Sequence, residues 1–110
     1  MKCLTKVPRK LARVDWLNDD KTLEDLQRKV DGFVEFIHLD ANTIAIVNEE
    51  GKLQDRKHNV TAFVGDRPVD SICGNVVVVG TKHGELVGLT DEQIDKYRAQ
   101  LNYGYLRYER

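Results

Sequence analysis

Cysteine, serine and long apolar runs are all scarce in this chain. Its two cysteines, Cys3 and Cys73, stand far apart and outside any C-x-x-C pair, which argues against a disulfide framework or a zinc site. Ser71 is the only serine, and no Gly-x-Ser-x-Gly, P-loop or Gly-x-Gly-x-x-Gly motif is present. No apolar run of about 18 residues is available to span a bilayer, and the N-terminus lacks the apolar stretch of a signal peptide. We therefore expect a cytoplasmic protein that is not an enzyme and does not enter a membrane.

An excess of one charge is also missing, because 17 basic and 18 acidic residues leave a net charge of −1. This balance excludes a DNA mimic and a dedicated nucleic-acid binder. The charges are unevenly placed, however, and residues 1–13 hold five basic residues and no acid: Lys2, Lys6, Arg9, Lys10 and Arg13. Such a block is either a solvated face or an interaction segment, and as a segment it predicts weak nucleic-acid binding.

The three histidines, His38, His58 and His83, share no metal-binding spacing. We therefore predict no metal site and no cofactor.

The length of 110 residues and an apolar content of 41% suit one domain spanning residues 1–110. Strand patterns precede and follow one early helix, and a second helix closes the chain, which predicts an α+β fold with a mainly antiparallel sheet. The predicted strands are 3–7, 11–17, 33–39, 43–47, 72–80 and 86–89, with residues 60–64 left as strand or short helix. The "NVVVVG" run within 72–80 predicts a strand that is buried on both faces.

Two helices are predicted, at about residues 22–31 and 90–103. Thr22 is placed to cap the first helix, with Leu23, Leu26 and Val30 on its buried stripe. The second helix has Thr90 and Gln93 in a capping box. In the preceding strand 11–17, alternation predicts one apolar face made by Ala12, Val14 and Trp16.

The carboxylates around the first strand pair form the main candidate site. Strands 33–39 and 43–47 predict a hairpin closed at residues 40–42, which places Glu35 opposite Val47 or Asn48. Glu49 lies in the next turn, Asn48–Gly51, which we interpret as a further hairpin turn. Two neighbouring carboxylates perform acid–base chemistry or hold a divalent cation. The alternative places Glu35 on the solvent face and leaves Glu49 as a turn residue.

The C-terminal tail, residues 103–110, is rich in residues that are enriched at protein interfaces. These are Tyr103, Tyr105, Arg107 and Tyr108. The tail either docks on a partner or a second copy of the chain, or continues the last helix onto its own sheet.

The order of motifs "KTLEDLQRKVDGFVEFIHLD…IAIVNEEGKL…HN…ICGNVVVVG" resembles a small domain family of unknown function. Phages, plasmids and conjugative elements, mostly of Gram-positive bacteria, carry its members. The resemblance covers roughly residues 20–95 and departs from the family at Asp31, where a second glycine is more usual. The matching positions are Val30, Gly32, Phe33, Glu35, Asn48, Glu49, Gly51, Leu53, Asn59, Gly74 and Gly80.

The resemblance implies an accessory protein of a mobile element, in the cytoplasm of its bacterial host. We expect a non-enzymatic protein that binds a host protein, with a defence factor as the target. Association of the chain with a second copy of itself, as a homo-oligomer, is the other arrangement left open. One alternative is a module that binds a nucleotide or metal ion through Glu35, Asn48, Glu49 and Asn59. The second alternative is weak nucleic-acid binding through the basic segment 1–13.

Overall fold

The computed structural model describes residues 1–108 as two helices and nine strands, which confirms the α+β class. The elements in chain order are β1 (Lys2–Lys6), β2 (Arg13–Trp16), α1 (Thr22–Val30), β3 (Val34–Asp40), β4 (Thr43–Asn48), β5 (His58–Val64), β6 (Arg67–Cys73), β7 (Val76–Lys82), β8 (Glu85–Val87), α2 (Asp91–Tyr103) and β9 (Tyr105–Tyr108). Neither helix is long and apolar enough to cross a membrane.

The strands form two sheets. The larger sheet has the order β2-β1-β7-β4-β3, with β8 also paired to β7, and all of its pairs are antiparallel. The smaller sheet has the order β6-β5-β9, with β9 parallel to β5. The prediction of mainly antiparallel strands is therefore confirmed. The strands form two sheets, however, where a single sheet was predicted.

The larger sheet is covered on both faces, and β7 runs through its centre. Val77 and Val79 pack in the cluster that contains Leu26 of α1, whereas Val76 and Val78 pack in the cluster that contains Leu101 of α2. Burial of "NVVVVG" on both faces is confirmed. The prediction of a single strand over residues 72–80 is wrong, however, because the chain leaves the smaller sheet at Gly74–Asn75 and enters the larger one.

The first helix lies where it was predicted but is capped differently. Lys21 is its N-cap residue and makes no side-chain cap. Thr22 instead donates its hydroxyl to the carbonyl of Asn18, and Asp25 accepts the N–H of Asn18. Leu26 is buried as predicted, but Leu23 is exposed, because it lies outside the face that contacts the sheet. The second helix has the predicted capping box of Thr90.

The apolar face predicted for strand 11–17 is only partly buried. Ala12 is buried, but Trp16 exposes 62% of its surface and Val14 is also exposed. The physical reason is that β2 is the last strand of its sheet, so one flank has no neighbour within residues 1–108. The Lys2 ammonium lies 5.7 Å from the centre of the Trp16 ring.

The tail packs on its own protein, but as a strand. Gly104 ends α2 in the left-handed conformation, with φ of 91°, and residues 105–108 then pair with β5. Leu106 is buried in the core between the sheets. The prediction that the tail continues the last helix is therefore wrong. Two residues of the predicted tail, Glu109 and Arg110, lie outside the described residues.

Candidate functional site

A groove of about 650 Å³ lies between the two sheets. Its walls come from β3, β4, the loop that follows β4, β6 and the last residue of β9. We call this feature the groove, and its lining residues are Glu35, Phe36, Ile37, Val47, Asn48, Glu49, Glu50, Gly51, Lys52, Leu53, Val69, Asp70, Ser71, Ile72, Cys73 and Tyr108.

Edge strands form two walls of the groove. Within residues 1–108, β3 pairs only with β4 and β6 pairs only with β5. The hairpin of β3 and β4 has the predicted register, with Glu35 opposite Val47. Ile37 lies on the same side of β3 as Glu35 and packs against the core between the sheets. The groove therefore begins where that core ends, and β3 and β6 each keep one edge without a strand partner within residues 1–108.

The ion pair of Lys52 and Asp70 connects the loop to β6. The hydrogen bond from Lys52 lowers the pKa of Asp70, and the same bond raises the pKa of Lys52. Tyr108 is half-buried nearby, and its pKa is raised first by burial and then by the negative charges of Asp70 and Glu35. The groove is therefore an electronegative environment.

The Asn48 side chain, although it lines the groove, is fully engaged with the backbone. Its Nδ2 donates to the carbonyl oxygens of Val30 and Asp31, each at 3.1 Å, and its Oδ1 accepts the N–H of Glu50 at 2.8 Å. Asn48 thereby closes the C-terminus of α1, where carbonyl groups lack partners within the helix. The turn that begins at Asn48 is present, with Gly51 N–H bonded to its carbonyl. It is not a hairpin turn, since β4 and β5 lie in different sheets.

Asn59 lies elsewhere, in the core beside β1. Its Nδ2 donates to the carbonyl oxygens of Lys6 and Gly74, both at 2.8 Å. Its Oδ1 accepts a hydrogen bond from Nζ of Lys6 at 2.6 Å. The structure thus brings three of the four predicted ligand residues, Glu35, Asn48 and Glu49, to one groove and leaves Asn59 outside it. Within residues 1–108 no group of three or more His, Cys, Asp or Glu side chains is placed to hold a metal ion.

A hydrogen bond between His58 and Ser71 was not predicted from the sequence. Nδ1 of His58 lies 2.6 Å from Oγ of Ser71, whose oxygen is 3.9 Å from Sγ of Cys73. Recognition of the β5–β6 hairpin would have predicted this contact, because the hairpin sets His58 opposite Cys73 and therefore close to Ser71. The other ring nitrogen of His58 forms no hydrogen bond within the described chain. This pair therefore lacks the orienting group that a hydroxyl nucleophile requires.

The predicted interaction segments are only partly available at the surface. Lys6 exposes 7% of its surface, so this residue does not belong to the basic surface; burial also lowers its pKa. Arg9 and Lys10 are exposed, and the guanidinium of Arg13 bonds to the hydroxyl of Thr5.

The tail tyrosines differ in a similar way. Tyr103 is exposed, whereas the ring of Tyr105 packs edge-on against Phe63 at 6.0 Å. Arg107 lies over the Tyr105 ring and donates to the carbonyl of Gly65. Tyr108 belongs to the groove.

The positions that carry the resemblance divide into two groups. One group supports the backbone: Asn48 and Asn59 bond to carbonyls, and a Cβ on Gly51 would lie 2.5 Å from the carbonyl oxygen of Cys73. The side chains of the other group are exposed: Phe33, Glu35, Glu49 and Leu53. All of this second group except Phe33 line the groove.

The family model described as Domain of unknown function (DUF3846) matches residues 1–102. The match includes α1, eight of the nine strands and all of α2 except its last residue, Tyr103. No curated protein and no solved structure matches the chain.

Proposed function

The chain belongs to the DUF3846 family, and for it we propose a function in binding another protein, with the groove as the binding site. The observation that carries the proposal is the exposure of large apolar side chains beside two strand edges. Leu53 exposes 88% of its surface, Phe36 49% and Val69 45%, and all three line the groove. Apolar groups that converge on a concave surface favour a binding role.

Strand edges support an extended protein segment as the occupant. An edge strand presents backbone N–H and C=O groups that pair with an added strand. The outer edges of β3 and β6 have no strand partner within residues 1–108, and residues of both strands line the groove. Main-chain hydrogen bonds supply affinity in this mode of recognition, and the side chains around the edge supply specificity.

The biological role that we propose is that of an accessory protein of a phage or mobile element, which inhibits a host defence protein by binding it. The resemblance described above supports this setting. Inhibition by binding requires a surface and no catalytic group, which agrees with a groove built from carboxylates and apolar side chains.

A photo-crosslinking residue at position 53 tests the proposal. We expect benzoylphenylalanine at Leu53 to give a discrete covalent adduct with a second protein in the bacterium that carries the gene. The substitution Val69→Asp in the same chain should remove that adduct, because it places a charge among the apolar contacts. Benzoylphenylalanine at Leu11, which exposes 73% of its surface outside the groove, is the matched control. Absence of an adduct at position 53, or equal adducts at both positions, would contradict the proposal.

Binding of a small ligand is the second candidate, because Glu35, Asn48 and Glu49 line one groove. A nucleotide or divalent ion that binds there stabilises the folded protein by mass action. A thermal shift with millimolar nucleotide or Mg²⁺, absent in Glu35→Gln, would favour this candidate. Nucleic-acid binding has weaker support, since Lys6 is buried and Lys2 stacks on Trp16.

A further inference from the structure

The groove is more acidic than the molecule as a whole. Four carboxylates and one ammonium line it: Glu35, Glu49, Glu50, Asp70 and Lys52. Lys52 is paired with Asp70, which leaves three carboxylates without a lysine or arginine partner in the groove. The whole chain, in contrast, has only one more acidic than basic residue.

Two of these carboxylates have no hydrogen-bond or ion-pair partner in the part of the chain that the structure describes, although the negative charge of Glu35 acts on Lys52. The side chains of Glu35 and Glu49 form neither an ion pair nor a hydrogen bond there, while Glu50 accepts a hydrogen bond from Gln54. Some carboxylates elsewhere form ion pairs, as Asp25 does with Arg28 and Asp31 with Arg56. Glu35 and Glu49 are therefore free to accept cationic groups from another molecule.

The arrangement of charged and apolar side chains fits an extended segment with an alternating pattern. Side chains on one face of a strand recur every second residue, at about 6.6 Å. A segment paired to the edge of β3 or β6 would meet carboxylates with one set of side chains. Its other set would meet the apolar groups of Phe36, Leu53 and Val69.

We propose that the groove binds an extended segment of a partner protein in which lysine or arginine alternates with apolar residues, and that Glu35 and Glu49 accept its cationic side chains. This inference rests on the proposed function and deepens it by naming the chemistry of the partner. Charge complementarity of this kind provides specificity and speeds association, and it weakens as salt rises.

A different role for Glu35 makes a contrary prediction. Charged side chains that point inward on an edge strand prevent sheets from joining edge to edge. If Glu35 had only that role, its removal would cause self-association through β3 and would leave partner binding unchanged. The two roles are therefore distinguished by measuring both properties on the same variant.

The probe is a fluorescein-labelled peptide of sequence Arg-Val-Lys-Val-Arg-Val-Lys-Val, titrated with the full chain at low salt and followed by fluorescence anisotropy. We expect the double variant Glu35→Gln/Glu49→Gln to bind it about tenfold more weakly than the native chain. The matched control, Glu24→Gln/Glu85→Gln, changes the net charge equally at exposed positions outside the groove and should retain native affinity. A peptide of the same composition with its basic residues grouped together should bind more weakly than the alternating one.

New self-association of Glu35→Gln/Glu49→Gln with unchanged peptide binding would indicate the edge-protecting role and overturn the inference. Three further results would also overturn it. The first is equal weakening by both double variants, which would indicate diffuse charge attraction. The second is equal affinity for the two peptides. The third is self-association of the native chain, measured by sedimentation velocity, that Glu35→Gln/Glu49→Gln abolishes, because the occupant would then be the basic segment of a second copy.

The crosslink at position 53 separates this inference from the proposed function. An adduct that persists in Glu35→Gln/Glu49→Gln would retain the groove as a protein-binding site and would overturn the basic segment as its occupant. Loss of the adduct in that variant, but not in Glu24→Gln/Glu85→Gln, would support both.

Discussion

Lys6 donates a hydrogen bond from Nζ to Oδ1 of Asn59 across 2.6 Å, and each of the two residues exposes only 7% of its surface. The amide of Asn59 in turn bonds to the carbonyl oxygens of Lys6 and Gly74. One side chain thus joins β1, β5 and the connection between β6 and β7. Burial lowers the pKa of Lys6, since its amide partner supplies no negative charge. Both residues were predicted to take part in binding, whereas their geometry holds the two sheets together.

We predict that Asn59→Asp destabilises the protein even though it gives Lys6 a carboxylate partner. The substitution removes the Nδ2 donor and sets a carboxylate oxygen against two backbone carbonyls. The free energy of unfolding should fall by about 1–3 kcal/mol, the usual cost of unsatisfied buried polar groups. Urea unfolding at neutral pH measures this change.

Asn102→Asp is the matched control for that substitution. Asn102 acts as an acceptor, since its Oδ1 accepts the N–H of Ala12 at 2.7 Å, and an aspartate keeps that bond. Its unfolding free energy should stay within about 0.5 kcal/mol of the native value. Native stability in Asn59→Asp would mean that the two carbonyls do not depend on Asn59.

Gly32→Ala is expected to loosen the end of α1. A Cβ at position 32 would lie 2.6 Å from Nδ2 of Asn48, so the asparagine would have to leave the carbonyls of Val30 and Asp31. We expect a loss of about 2–3 kcal/mol in unfolding free energy. Gly65→Ala is the control: Gly65 also has a positive φ, of 60°, but a Cβ there meets nothing within 4 Å. It should cost about 1 kcal/mol, and equal losses in the two variants would contradict the steric explanation.

Local sequence patterns predicted both helices, the β3–β4 hairpin with Glu35 opposite Val47 or Asn48, and the burial of the Val76–Val79 run. Each of these depends on neighbours within one element or one tight connection. The division into two sheets depends on where the chain turns at Gly74, which has φ of 88°. No periodicity reports such a turn, so residues 72–80 were predicted as one strand.

The pairing of the tail and the position of Asn59 could not be predicted, for the same reason. A parallel strand such as β9 has its partner, β5, about 40 residues earlier in the chain, so its own residues carry no sign of the pairing. The approach of Glu35 to Glu49 follows from the hairpin and was one of the two arrangements predicted. The placement of Asn59 beside Lys6, 53 positions away, follows only from the packing of the sheets.

We expect Tyr97→Phe to destabilise the protein at neutral pH and less so in acid. The Tyr97 hydroxyl donates to Asp40. Burial works against ionisation of that carboxylate, yet this bond and the N–H of Asn42 lower its pKa. The stability that Asp40 contributes is therefore present above its ordinary pKa of 3.8 and is lost as pH falls through the lowered value. The difference in unfolding free energy between native and variant chains should be about 1–2 kcal/mol at neutral pH and should shrink below pH 3.8.

Tyr105→Phe provides the comparison for that variant. The Tyr105 ring contacts Phe63 and Arg107, and its hydroxyl forms no hydrogen bond in the described residues. We expect its stability to match the native chain at every pH. If the loss of unfolding free energy in Tyr97→Phe did not vary with pH, the prediction would be contradicted, because the Tyr97 hydroxyl would then not act on the ionisation of Asp40.

The Cys3 thiol should make the fold sensitive to alkali. Cys3 is fully buried, and burial, followed by the charge of Asp15, raises its pKa from 9.0 to about 12. Below pH 9.0 the thiol is protonated in both states and contributes its full stability. Between pH 9.0 and 12 the unfolded chain releases the proton while the folded chain retains it, so stability falls by about 1.4 kcal/mol for each pH unit. Lys6 acts with the opposite sign. Because its pKa is lowered in the folded chain, the folded chain releases this proton before the unfolded chain does, and stability rises with pH up to the ordinary lysine pKa of 10.5.

Cys3→Ala isolates the thiol from these other groups. The variant loses a buried sulfur and starts from a lower stability, but the part of the alkaline slope that comes from Cys3 should vanish. The difference in unfolding free energy between native and variant chains should therefore decrease steadily above pH 9.0, as urea unfolding at several pH values would show. Cys73→Ala keeps the Cys3 thiol and should keep the native slope. Parallel curves for the native chain and Cys3→Ala would contradict the raised pKa, since a thiol that ionises equally in both states adds no dependence on pH.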